Sequence, residues 1–354
     1  MQSRAQGRSW KSAKPALPAS SDKIISTVAG QPPSKCRASY VIHIRRTGRT
    51  GYSSRSCDEI VDESLNEISV DSTRVLHYGA RVSQPTLDLS HIFELESHGA
   101  DTYLGTTPDY PWGRVYGGLA IAQALWAATQ TVQPDHLPHS LHAYFILGGE
   151  LGEPIRYEVD RVRNGRSFTT RRVVARQSGG AILTLGCSFQ RGEAGPVSQS
   201  AVMPQDVPRP DGLSGSVHSE FDSGFDRRDV PGCGEIPQSR AWVRFPEALG
   251  EDPRLHACGL AYVSDASPMG AVRAAHPDRK NNTGAWDDAF MGASLDHAMW
   301  FHRPVRANDW MLIDMTGHGV AESRGLATGP VFASDGTHIA TIAQEGLLRR
   351  RRRP

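Results

Sequence analysis

One order of predicted elements occurs twice along this chain of 354 residues, and it constrains the fold more than any other feature. Each occurrence contains one helical segment, the first at about 119–132 and the second at about 253–265. In the first, Ile121, Leu125 and Ala128 recur at spacings of four and three, as the buried face of a helix requires. The order predicts two copies of one helix-and-sheet unit.

The segments after each helix alternate apolar and polar residues, which is typical of antiparallel strands with one face in water. In the first unit Ile155, Tyr157 and Val159 point one way between charged neighbours, and Asn164-Gly165 is a hairpin turn signal. We expect strands at 92–95, 103–104 and 155–160, one between the turns at 164–165 and 178–180, and one at 181–189 in the first unit, and strands at 241–245, 293–302, 310–315 and 338–347 in the second.

Short internal matches favour a duplication. Residues 140–142 (Ser-Leu-His) resemble 294–296 (Ser-Leu-Asp) at an offset of 154 residues, and 182–185 resemble 339–342 at an offset of 157 residues. Two matches at nearly one offset indicate a duplicated unit, and chance is the rival explanation for strings this short.

Charge, cysteines and missing motifs exclude several classes of function. With 39 Lys and Arg against 38 Asp and Glu, the net charge of +1 favours neither nucleic acid nor a membrane surface as a partner. Five scattered cysteines exclude a disulfide framework and a zinc ribbon. The absence of a P-loop, a G-x-S-x-G elbow and an H-E-x-x-H motif argues against nucleotide and metalloprotease chemistry. Without an apolar run of membrane-span length or a secretory h-region, the sequence predicts a cytoplasmic location.

Composition divides the chain into five segments. Residues 1–82 are rich in Ser, Arg and Pro and poor in acids, so they predict a disordered basic extension, which also resembles a targeting segment. Residues 83–190 form the first unit, 191–237 a linker rich in Pro and Gly, 238–349 the second unit, and 350–354 a basic tail.

A polar set in the second unit suits water chemistry: Asp265 at the end of its helix, Ser294 at the head of a strand, and Gln344 in an apolar strand. A carboxylate, a hydroxyl and an amide can position and deprotonate one water molecule. Each also has an ordinary interpretation, as a helix end, a turn hydroxyl or an edge-strand amide. His297 and His302 stand five residues apart in a predicted strand, so we interpret them as packing residues on opposite faces.

Six strings follow one another in the chain: V-Y-G-G at 115–118, S-L-H-A-Y-F at 140–145, G-R-S-F at 165–168, A-Y-V-S-D at 261–265, L-D-H-A-M-W-F-H-R-P at 295–304 and A-Q-E-G at 343–346. In this order they resemble the acyl-CoA thioesterase II family, from about Phe93 to Arg349. The D-H-x-M-W-F-H-R-P string is highly specific.

The resemblance implies an α+β double hotdog, in which each unit is a long helix wrapped by an antiparallel β-sheet. It implies hydrolysis of acyl-CoA thioesters to free fatty acid and CoA by direct water attack, with Asp265, Ser294 and Gln344 as catalytic residues and with no cofactor and no metal. By the internal offsets, Ser140 and Cys187 stand opposite Ser294 and Gln344, so the first unit would be structural. The family also implies a homo-oligomer.

Two alternatives stay open. A hotdog enoyl-CoA hydratase would need an Asp and a His around a double bond, and Asp265 has no His in its own segment. A non-catalytic acyl-CoA-binding protein is favoured by two departures from the family pattern: Leu119 follows the Gly-Gly pair, and Leu147-Gly148-Gly149 follows the Tyr-Phe string. Release of free thiol from acyl-CoA separates both from a thioesterase.

Overall fold

A computed structural model describes residues 87–213, 223–231, 236–281 and 289–351. The predicted basic extension at 1–82 and the last three residues of the predicted tail lie outside these ranges. The first unit contains β1 (Glu96–Ser97), β2 (Thr102–Gly105), α1 (Gly117–Thr129), β3 (His136–Phe145), β4 (Ile155–Asn164), β5 (Phe168–Gln177) and β6 (Gly180–Arg191).

The second unit contains two α-helices and seven strands in its described part. They are β7 (Asp226–Val230), β8 (Gln238–Arg244), α2 (Pro253–Ser264), α3 (Pro268–Ala274), β9 (Phe290–Ser294), β10 (Asp296–Phe301), β11 (Met311–Ala321), β12 (Arg324–Ala333) and β13 (His338–Arg350). Short 3-10 helices lie at Pro210–Gly212 and Pro277–Asn281.

The strands of the described residues form one antiparallel sheet, and equivalent strands of the two units follow in the same order when the sheet is read inward from either edge. The strand order is β1-β2-β4-β5-β6-β3-β10-β13-β12-β11-β8-β7, and β9 pairs with β13 beside it. Reading inward from both ends matches β1 with β7, β4 with β11, β5 with β12 and β6 with β13. At the centre β3 pairs with β10, where Ala143 lies opposite His297. The duplication and the double hotdog fold are therefore confirmed.

The helices supply the core. α1 is rich in Ala and Leu, which are strong helix formers, and it is buried on almost every side. Leu119, Ile121 and Leu125 are fully buried among β4, β5, β6 and α2. Burial of each of these side chains contributes about 1.5–3 kcal/mol relative to exposure. The contact between α1 and α2 brings the two units into one core.

Several elements differ from the sequence expectations. Residues 90–93 form a turn rather than a strand, and β3 and β12 were not predicted. The segment 191–237, expected to be a linker, contains β7, which pairs with β8 at the edge of the sheet. Its residue Pro208 accepts a hydrogen bond from the buried Trp242 indole at 2.9 Å. Tertiary pairing, rather than local periodicity, gives the described part of this segment its structure.

The basic tail and the second helix also differ from expectation. β13 runs to Arg350, whose guanidinium pairs with Asp278 and lies 5.1 Å from the Phe290 ring centroid. The helix expected at 253–265 is α2, which ends at Ser264, and a second helix that was not expected, α3, follows it. The break between the two helices shapes the candidate site.

Candidate active site

Asp265 lies where α2 stops. It is the C-cap residue of that helix, and α3 begins three residues later at Pro268. Proline is tolerated in the first turn of a helix but cannot continue one, since it lacks the N–H that would bond back to the preceding turn. Pro268 therefore separates the two helices and leaves the Asp265 side chain at a helix end.

The structure brings together all three predicted site residues. Ser294, the last residue of β9, donates from Oγ to Asp265 Oδ1 at 3.3 Å. Gln344 of β13 is fully buried, and its Nε2 donates to Ser294 Oγ at 2.8 Å. A carboxylate, a hydroxyl and an amide are thus joined in one hydrogen-bonded row.

The first unit also contributes to this site. The Gly118 backbone N–H, at the start of α1, donates to the Asp265 carboxylate. A Cβ at position 117 would lie 2.6 Å from Asp265 Oδ2, and one at position 118 would lie 2.2 Å from the Tyr262 carbonyl oxygen. The Gly-Gly pair is needed because the two helices approach this closely. The first unit, which was expected to be only structural, therefore lies against the candidate site.

The surroundings of Asp265 change its acidity. Burial raises the pKa of its carboxyl to about 7, although hydrogen bonds from Gln344, Ser294 and the Gly118 N–H act in the opposite direction. A carboxyl with a pKa near 7 is ionised in about half of the molecules at neutral pH and can both accept and return a proton.

His297 was missed as part of this row. Its ring is fully buried, with Nδ1 2.5 Å from Gln344 Oε1 and Nε2 2.9 Å from Ser264 Oγ. Burial lowers the pKa of the imidazole to about 4, so the ring is neutral at physiological pH. The expected separation from His302 holds, because the His302 ring lies on the other face and bonds Thr341 Oγ1 at 2.8 Å.

A β-bulge explains why sequence periodicity did not reveal His297. Ser294 pairs with Gly346, whereas Ala298 pairs with Ala343, so the strand carries one extra residue between these pairs. The extra residue changes the alternation and brings two side chains three positions apart, Ser294 and His297, to the same glutamine. Asp296 Oδ1 accepts the Glu345 N–H at 2.7 Å and so satisfies a backbone donor at the irregularity.

The residues singled out in the first unit have other surroundings. Ser140 and Cys187 are buried in β3 and β6, and burial raises the pKa of the Cys187 thiol. Leu119 is fully buried in the core, whereas Leu147 is exposed. A Cβ at Gly149 would lie 2.7 Å from Val115 Cγ2, beside the segment that leads into α1.

Comparisons with known proteins agree with this fold. The family model described as "Acyl-CoA thioesterase N-terminal domain" matches residues 106–190, and "Acyl-CoA thioesterase C-terminal domain" matches 198–348. Acyl-coenzyme A thioesterase 8 of Mus musculus is 34% identical, over 74% of this chain and 88% of its own length. Acyl-CoA thioesterase 2 of Haemophilus influenzae is 32% identical, over 74% of this chain and 97% of its own length.

Solved structures show the same architecture. The acyl-CoA thioesterase II TesB2 from Mycobacterium marinum is 36% identical, with a TM-score of 0.64, over 75% of this chain and 99% of that one. A hot dog protein from Alicyclobacillus acidocaldarius, 19% identical with a TM-score of 0.61 over 75% of this chain and 98% of that one, shows the fold alone. The fold and these similarities define a double-hotdog thioesterase. The chain belongs to the acyl-CoA thioesterase family.

Within the described ranges, no group of three or more His, Cys, Asp or Glu side chains could hold a metal ion. Among the helices of those ranges, none is long and apolar enough to cross a membrane.

Proposed function

We propose that this chain hydrolyses acyl-CoA thioesters with a water molecule that Asp265, Ser294 and Gln344 hold and activate. Membership of the acyl-CoA thioesterase family makes the overall reaction the release of a free fatty acid and CoA.

Asp265 is the proposed general base. In its ionised form it removes a proton from the water as the water oxygen bonds to the thioester carbon. The C–S bond then breaks, and the sulfur leaves with the bonding electrons and takes the proton from Asp265, which restores the carboxylate. No covalent bond to the protein forms in this sequence.

Ser294 and Gln344 hold the water beside Asp265, and the start of α1 polarises the thioester carbonyl. The first N–H groups of a helix carry partial positive charge, and the Gly118 N–H already reaches Asp265. Negative charge that develops on the thioester oxygen beside this helix end would be stabilised by fixed donors. The first unit thus contributes electrostatics to a reaction carried out by the second.

The observation that carries the proposal is the state of Asp265: a carboxyl with a pKa of about 7, bonded through Ser294 to Gln344. An ordinary surface aspartate has a pKa near 3.9 and is a poor base.

Asp265→Asn tests the assignment. Removing a general base lowers the rate by about 10² to 10⁴, so thiol release from a panel of acyl-CoA lengths should fall by that factor while the protein stays folded. Asp252→Asn is the matched control, because Asn caps the start of α2 as well as Asp does. The control should keep its rate. Near-normal turnover in purified Asp265→Asn would refute the proposed base.

The same assay decides between the alternatives. A hydratase would change the enoyl absorbance of crotonyl-CoA without releasing thiol, and a binding protein would retain a long-chain acyl-CoA over hours without releasing it. Against the hydratase, the nearest histidine in the hydrogen-bonded row, His297, is separated from Asp265 by Gln344 and Ser294. A cytoplasmic location and a homo-oligomer remain predictions from the sequence.

A further inference from the structure

Four hydrogen bonds join Ser264, at the end of α2, to its neighbour Asp265 by way of the sheet. The bonded atoms are Ser264 Oγ with His297 Nε2 at 2.9 Å, His297 Nδ1 with Gln344 Oε1 at 2.5 Å, Gln344 Nε2 with Ser294 Oγ at 2.8 Å, and Ser294 Oγ with Asp265 Oδ1 at 3.3 Å. The proposed mechanism uses only the last two of these bonds. Ser264 and His297 are both fully buried.

The ionised carboxylate sets the direction of the row at one end. A carboxylate only accepts hydrogen bonds, so the Ser294 hydroxyl must donate its single proton to Asp265. The Ser294 oxygen then accepts from the NH₂ group of Gln344, which turns the amide oxygen toward His297. An amide oxygen also only accepts, so His297 must carry its proton on Nδ1.

The same reasoning fixes the other end. A neutral imidazole protonated on Nδ1 has a bare acceptor at Nε2, and Ser264 Oγ is the group that faces it. A buried acceptor without a donor would cost about 1–3 kcal/mol. The Ser264 hydroxyl therefore donates to His297 rather than to its other neighbours, the Ala261 carbonyl at 2.9 Å and Met299 Sδ at 3.3 Å.

We infer that His297 and Ser264 are positioning residues for the hydrolytic site: they hold the Gln344 amide with its NH₂ group toward Ser294 and so keep the Ser294 hydroxyl directed at Asp265. If the Gln344 amide flipped, its oxygen would face Ser294 and accept the hydroxyl hydrogen bond that Asp265 now accepts. This inference rests on the proposed function.

The first unit supports this assignment by contrast. Ala143 stands directly opposite His297 across the central strand pair, and the internal offset also equates these two positions. Cys187 occupies the place that the offset assigns to Gln344. The copy that ends its helix without a carboxylate also lacks the imidazole and the amide.

Two substitutions at one position separate positioning from packing. In His297→Asn the new amide can donate near the former Nδ1, toward Gln344, whereas in His297→Gln the amide reaches the former Nε2, toward Ser264. We expect His297→Asn to keep kcat within a few-fold, and His297→Gln to lose at least about tenfold with KM nearly unchanged. Ser264→Ala, which removes the outer donor, should lose a few-fold.

The pH profile gives a readout that packing would not move. Loss of the hydrogen bonds that Gln344 and Ser294 donate to Asp265 raises the pKa of its carboxyl, so the acid limb of kcat/KM should shift to higher pH in His297→Gln and in Ser264→Ala. His256→Gln is the matched control, a buried histidine whose ring nitrogens bond the Gly250 carbonyl and the Ala307 N–H. It should lower the melting temperature and leave the acid limb in place.

Equal kcat and an unmoved acid limb in His297→Asn and His297→Gln would overturn the inference and make His297 a packing residue. If His297→Gln does not fold, Ser264→Ala decides alone through its acid limb. This failure is distinguishable from that of the proposed function, because Asp265→Asn would still be inactive. Full activity in Asp265→Asn would instead refute the assignment of Asp265 as the general base.

Discussion

The two C-terminal helix ends of the duplicated fold carry opposite charges. α2 ends at Asp265, an acid, whereas α1 is followed by Thr131, whose carbonyl accepts a hydrogen bond from Arg171 Nη2 at 2.8 Å. The C-terminus is the negative end of the helix dipole, so a cation there is stabilising and an anion is not. The first end is built for stability, and the second holds a carboxylate whose charged form is disfavoured.

The starts of the two helices also differ in how a carboxylate is held there. Asp252 caps its own helix by accepting the Arg254 N–H at 2.9 Å, and its carboxylate pairs with the Arg254 side chain at 2.6 Å. At the start of α1 the corresponding acceptor comes from the other unit: the Asp265 carboxylate accepts the Gly118 N–H. One carboxylate is neutralised by an arginine, and the other is held by neutral donors and can exchange a proton.

Among the substitutions that test this difference between the helix ends, Gly118→Ala should have the largest effect on stability and on kcat. Its Cβ would lie 2.2 Å from the Tyr262 carbonyl oxygen, so α1 would have to move away from α2 and from Asp265. We expect a loss of about 1–3 kcal/mol in the free energy of unfolding and a fall in kcat of about a hundredfold, measured by chemical denaturation and thiol release. Gly186→Ala, where a Cβ meets open space, is the control. Normal activity in Gly118→Ala would show that this helix contact is not part of the site.

Arg171→Met tests how far Arg171 stabilises the C-terminal end of α1. The guanidinium is almost fully buried and donates five hydrogen bonds, to Thr131 Oγ1, the Thr131 carbonyl, Asn164 Oδ1, and the carbonyls of Arg163 and Thr170. Its removal leaves buried acceptors without donors, so the free energy of unfolding should fall by about 3 kcal/mol. The kcat of the folded protein should stay the same. A loss of kcat at unchanged stability would mean that the first end takes part in the chemistry.

Asp265→Asn should stabilise the protein in a pH-dependent way. The pKa of Asp265 is raised in the folded state, so the folded protein holds a proton that the unfolded chain has already lost above about pH 4. Wild-type stability therefore falls, relative to the neutral asparagine variant, as the pH rises from about 4 to about 7, and the difference stays constant above that. Melting temperatures at pH 4.5 and pH 8 measure it. A difference between the variants that does not grow with pH would contradict the raised pKa.

Much of the fold could be predicted from the sequence, because it depends on local patterns. The apolar spacing in α1 and the alternation in β4 are visible in the letters, and the internal offsets agree with the matching strand order. Asp265, Ser294 and Gln344 could be named through the resemblance, and the structure brings them together.

The rest depended on tertiary structure. The bulge after Ser294 brings His297 to the same face as Ser294, although the two residues are three positions apart. A strict alternation of period two cannot anticipate this extra residue. The Gly118 N–H reaches Asp265 because two helices distant in sequence approach each other, which no local pattern reports. The Asp-His pair within the specific string was the one available signal for His297, since Asp296 supports the bulge that turns the histidine inward.

The most direct test of the account is the pH dependence of kcat/KM for thiol release between pH 5 and pH 9. If Asp265 is the base and burial raises its pKa to about 7, the ionised fraction, and with it the rate, should rise tenfold per pH unit below that value and level off above it. The slope should be absent in the residual activity of Asp265→Asn. A wild-type rate already constant from pH 5 upward, as an aspartate of ordinary pKa would give, would contradict the account.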